Sequence, residues 1–149
     1  MMKYCLEKWD KNRSALEENI RQDGDWNDCD YAFIVRKVID IILNDNRTMR
    51  KWSSIDIIET GAGDYQGTLV YLIPSDYPED ESDYLMTFVG YGSCSVCDTL
   101  EGILCENDFD RKVKDFMQLC KDIVCNMIKP YNHGWRSSDA FEHVEVPQA

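Results

Sequence analysis

Only two histidines, His133 and His143, occur in the 149 residues, both near the end of the chain. Imidazole-based acid–base or nucleophilic chemistry therefore has little to draw on. Basic residues are few beside the acids: 16 Lys and Arg against 28 Asp and Glu, a formal charge of −12. A direct grip on DNA or RNA, which needs Lys and Arg to displace counterions from phosphates, is disfavoured. Long apolar runs are missing as well. TLVYLI at 68–73 has the length of a strand, far short of the about 18 residues that a membrane span requires. The opening stretch MMKYCLEKWDKNRSALEENI carries charges throughout and lacks the apolar segment of an export signal. Seven cysteines, an odd number, in such a chain read as reduced thiols. The expectation is a cytoplasmic protein that contacts neither membrane nor nucleic acid directly.

What is present is a globular composition, with 44% hydrophobic and 11% aromatic residues. A chain of this size buries a core without help from metal or disulfide, and residues 1–149 read as a single domain. The order of patterns predicts an α+β fold, a three-stranded antiparallel β-meander packed against about four α-helices. Residues 2–22 form a charged helix with Cys5, Trp9, Leu16 and Ile20 near one face, interrupted by polar residues in mid-stripe. Gly24 is placed to stop it. Asp28 or Asp30 caps a second helix over about 30–44, where Ile34, Val38, Ile41 and Ile42 share a side.

Three β-rich stretches follow: SIDIIET (54–60), GTLVYLI (67–73) and DYLMTFVGY (83–91). Short connections between them favour antiparallel neighbours. The first connection, with Gly61, Gly63 and Gly67, leads into a strand rather than a helix and lacks Lys-Ser/Thr. It reads as a hairpin turn and not as a phosphate cradle. The second contains Pro74 and Pro78 with Asp76, Glu79, Asp80 and Glu81, and Asp83 just beyond, the densest acidic patch in the chain. A short helix over about 99–104 and a long one over about 107–129 complete the pattern, with Pro130 ending the latter. The tail, about 131–149, shows no strong period. Within it Tyr131, Trp135 and Arg136 are of the residue types that dominate interface hot spots, and they could equally fold back over the sheet.

The stretch GYGSCSVCDTLEG (90–102) supports three readings. Cys94 and Cys97 have the spacing for two thiolate ligands of one zinc ion, with Cys105, His133 or His143 as distant partners. They also stand between a strand and a helix, where a redox pair would gain a lowered thiol pKa. None of Pro74, Pro78, Pro130 and Pro147 leads into a strand as a thioredoxin-like fold requires. The third reading is a structural turn, and it is preferred. Gly90 and Gly92 free the backbone, the cysteines are small buried hydrophobes, and Asp98 with Glu101 caps the next helix. No cofactor is expected on this reading, zinc being the alternative. Cys120 and Cys125, five apart in a helix, read as packing residues. A Cys97–His133 nucleophile pair has no further support in the sequence, and no catalytic residue is assigned.

Three ordered stretches, GDYQGTLVYLIP (63–74), YLMTFVGYGSCSVCDTLEGI (84–103) and DFMQLCKDIVCNMIKPYNHGW (115–135), resemble a family of small uncharacterised proteins encoded by bacterial phages and prophages. The resemblance covers about residues 26–136. Relatives often carry Gly where this chain has Val96, so the turn between the cysteines differs in detail. The resemblance implies a phage origin and the cytoplasm of an infected bacterial cell, and it transfers no activity.

Charge and resemblance together favour a non-enzymatic accessory protein that binds a host protein with a basic surface. In its sharpest form it inhibits a nucleic-acid-directed defence enzyme such as a CRISPR effector, with Asp76, Glu79, Asp80, Glu81 and Asp83 occupying a basic channel. The other classes retained are a zinc-binding structural module and a thiol-redox protein, both resting on Cys94 and Cys97.

Overall fold

Apolar residues at positions 5, 9, 16 and 20 define one stripe of the first helix, and all four are buried. A computed structural model describes residues 2–23, 29–45, 51–62, 67–79, 83–92 and 98–129. The first helix, α1 (Met2–Asp23), keeps a polar residue in mid-stripe for a reason. Asn12 Nδ2 donates to the Ile42 carbonyl at 2.9 Å, and Lys8 pairs with Asp45 at 2.9 Å, tying α1 to the end of the next helical segment.

That segment starts where Asp30 caps it, its side chain accepting from the Phe33 N–H at 2.8 Å. It runs as α2 (Tyr31–Lys37) and continues as a π-helical stretch, Val38–Leu43. Buried residues fall in adjacent pairs: Ile34 and Val35, Val38 and Ile39, Ile42 and Leu43. Four-residue spacing drifts around a helix of 3.6 residues per turn, and the wider π winding keeps all three pairs inward. Ile41, expected on the buried side, is only half-buried, and Ile39 and Leu43 take up the core positions.

The sheet has the order β1-β2-β3, antiparallel throughout, as the meander predicts. Its strands are β1 (Ile58–Ala62), β2 (Gly67–Pro74) and β3 (Tyr84–Tyr91). β1 starts four residues later than expected. Ser53 Oγ accepts the Asp56 N–H at 3.2 Å and donates to its carboxylate at 3.0 Å, a local turn that competes with strand pairing and leaves Ile55 85% exposed. Gly61 belongs to β1 opposite Leu69, not to the turn; a Cβ there would stand 3.0 Å from the Leu69 side chain.

One sheet face contributes Tyr71, Ile73, Leu85 and Val89 to a core shared with the helices. The opposite face gathers Leu72, Tyr84 and Met86, with Ile58, Val70, Phe88 and Ile128 against them. After α3 (Thr99–Cys105) comes α4 (Phe109–Cys125), whose Val113, Phe116, Cys120 and Val124 face the core. Thr87 Oγ1 donates to the Ile123 carbonyl at 2.8 Å and fixes α4 on β3. The helix ends at Asn126, four residues before the proline expected to stop it. Ile128 leaves the helix to pair with Met86 through two backbone hydrogen bonds, 2.8 and 2.9 Å, along the outer edge of β3.

Candidate functional site

The connection between β2 and β3 is held at its base by backbone pairing to the segment before β1. Ser53 N–H donates to the Pro74 carbonyl at 2.7 Å, and Asp76 N–H donates to the Lys51 carbonyl at 3.2 Å. Ser75, 3% exposed, closes the base from the other side by donating its N–H to the Asp83 carbonyl at 2.8 Å. Asp83 then turns its carboxylate inward, where Oδ2 accepts the Glu79 N–H at 2.7 Å. Through that bond the Asp83 carboxylate holds Glu79 beside the start of β3.

The five acids singled out in the sequence thus divide. Asp76 and Glu79 are exposed. Asp83 is 5% exposed, its carboxylate turned to the Glu79 amide and not to solvent. Asp80 and Glu81 lie outside the described residues. Between the two presented acids stands Tyr77, 88% exposed, which sequence reasoning passed over. The signal was there: an aromatic residue preceding Pro78 is restricted to extended backbone, which suits it to project from a turn. An exposed tyrosine flanked by carboxylates on a pinned loop offers stacking area, a hydroxyl and negative charge together.

A second inward aspartate stands just after the segment that carries the cysteine pair. Asp98, also 5% exposed, caps α3 by accepting the Glu101 N–H at 2.8 Å on Oδ2. Its Oδ1 accepts the Gly92 N–H at 2.8 Å and the Tyr31 hydroxyl at 2.9 Å, while that hydroxyl accepts the Leu100 N–H at 3.2 Å. Burial, and the Asp98 charge beside it, push the Tyr31 hydroxyl well above its ordinary pKa, so it stays protonated as a donor. The Gly92 bond ties together the two residues that flank 93–97. Gly90 lies within β3 opposite Thr68, so of the two glycines assigned to the turn only Gly92 stands at its edge.

Cys94 and Cys97 are outside the described residues, as are His133, His143, Tyr131, Trp135 and Arg136. Among the described residues, no three His, Cys, Asp or Glu side chains are grouped so as to hold a metal ion. The other thiols divide by burial. Cys5, Cys29 and Cys120 are buried, Cys125 is half-buried and Cys105 is exposed. Burial pushes the Cys5 and Cys29 thiols up to about 11, and raises Cys120 too. Thiols so placed are packing groups, not nucleophiles. Among the described residues, no helix is long and apolar enough to cross a membrane. No family model, curated protein or solved structure matches the chain.

Proposed function

We propose that the protein acts by binding another protein through the β2–β3 loop, without catalysis. The observation that carries this reading is the pinned stretch 75–79, which presents Asp76, Tyr77 and Glu79 to solvent while Asp83 accepts the Glu79 amide. Preorganisation of this kind lowers the ordering cost of binding. The −12 charge of the chain adds long-range attraction to a partner with a basic surface. A nucleic-acid-directed defence enzyme of a phage-infected bacterium, a CRISPR effector among them, has such a surface in the channel that receives DNA or RNA. Occupying that channel would inhibit it.

The test is affinity capture from nuclease-treated bacterial lysate at low and moderate salt, with wild type beside the Asp76→Asn, Tyr77→Ala, Glu79→Gln variant. A partner that wild type retains at low salt, loses at moderate salt, and that the variant fails to retain supports the reading. Equal capture by both proteins at both salt levels contradicts it. The zinc and thiol readings rest on Cys94 and Cys97. Metal analysis of protein purified without chelator, and alkylation of the thiols as a function of pH, test them separately.

A further inference from the structure

The geometry points to a second binding site of opposite sign, in the groove between α1 and α4, that docks an acidic amphipathic helix of a partner protein. The two helices run side by side and antiparallel: Arg21 near the end of α1 pairs with Asp110 in the first turn of α4 at 2.9 Å, and α1 from Trp9 to Gln22 lines the same groove as α4 from Val113 to Lys121. Between them is an open groove of about 580 Å³. Trp9, Val113 and Met117 supply its apolar lining, and Arg13, Arg21, Lys114 and Lys121 its cations.

In a chain with 28 acids and 16 bases, four cations against Glu17 and Glu18 make this groove a local reversal of charge. Arg21 is committed to Glu17 and Asp110. Arg13, Lys114 and Lys121 form no ion pair with any described residue, although exposed carboxylates are abundant on this protein. Arg13 and Arg21 stand eight residues apart on α1, and Lys114 and Lys121 seven apart on α4. Each pair therefore spans about 10–12 Å along its own helix, at about 1.5 Å per residue. Carboxylates two turns apart on one helix face have this same separation, with an apolar residue between them to meet Met117.

A nucleic-acid strand fits less well. Its phosphates would run past Glu17 and Glu18 within the groove, and the whole-chain charge of −12 opposes its approach. The chemistry favours a partner helix with discrete acids and an apolar stripe.

The test uses the full chain and a fluorescein-labelled synthetic helix of about 18 residues, roughly 27 Å long, with Glu two turns apart on one face and Leu between them. Anisotropy is read at low salt. Saturable binding is expected, weakened about tenfold or more by Lys114→Glu with Lys121→Glu, which lie on an exposed helix face. Lys3→Glu, the same kind of charge change outside the groove, is expected to leave affinity within about twofold. The loop variant of Asp76, Tyr77 and Glu79 should bind the probe normally, so this site and the loop can fail independently. Absence of saturable probe binding overturns the inference, as does equal weakening by Lys3→Glu. Displacement of the probe by single-stranded DNA at equal charge concentration would reassign the groove to a polyanion. Self-association in sedimentation that the double variant abolishes would reassign it to a second copy of the chain.

Discussion

Asp76 and Asp83 stand near the two ends of one short connection, yet they have little in common physically. Asp76 is exposed, and its carboxylate is held by no described residue. Asp83 is 5% exposed and accepts a backbone amide of its own loop. Asp98 repeats the inward arrangement seven residues into the next connection, with Tyr31, Gly92 and Glu101 as donors. In so acidic a chain the count of carboxylates is uninformative; the direction each faces separates scaffold from surface. The inward acids accept backbone amides at the ends of their connections, and the outward ones face solvent.

The comparison is broken most forcefully at Asp98. Replacement by Ala leaves a buried hydroxyl and two backbone amides without an acceptor and removes the α3 cap. A loss of about 2–4 kcal/mol is expected in urea denaturation, and a loss below about 0.5 would refute a scaffold role. Asp83→Ala removes the buried acceptor of the Glu79 amide and should cost about 1–2 kcal/mol, with Asp83→Asn costing less. The same inward–outward division applies to the thiols. Folded Cys5 and Cys29 hold their protons up to about pH 11, whereas the ordinary thiol value is 9.0. Below about pH 9 both folded and unfolded thiols are protonated and contribute no pH dependence. As pH rises from about 9 to 11 the unfolded thiols ionise first, so stability should fall across that window, with Cys120 acting in the same direction. A flat profile between pH 9 and 11 would contradict the burial assigned to these residues. Smallest of all should be the effect of Asp76→Asn with Glu79→Gln, within about 0.5 kcal/mol of wild type, as for surface positions generally.

Much of the scaffold is legible in the residues alone. Asp98 stands at the cap position its spacing predicts, Asp30 is the one of two candidates that caps α2, and β2 and β3 match their β-branched and aromatic runs to within a residue. The failures have local causes. Ser53 and Asp56 bond to each other and delay β1, a competition invisible to an apolar count. The π-helical stretch brings Ile39 and Leu43 into the core where a regular period favoured Ile41. Ile128 ends α4 early by pairing across the fold with Met86, a contact between residues 42 positions apart. For the candidate site, composition locates the acidic loop but does not tell Asp83 from Asp76. That distinction depends on a hydrogen bond that closes only when β2 and β3 are paired. Tyr77 was overlooked because it is conspicuous only by its exposure, and the groove cations because they come from helices far apart in sequence.

The most direct test of the outward-acid account pairs two readings on one variant, Asp76→Asn with Tyr77→Ala and Glu79→Gln: urea stability, and capture of partner from lysate at low salt. Stability within about 0.5 kcal/mol of wild type together with loss of the salt-sensitive partner is the predicted result. Undiminished capture by a fully stable variant would contradict it, and would show that the β2–β3 loop is not the surface through which the protein acts.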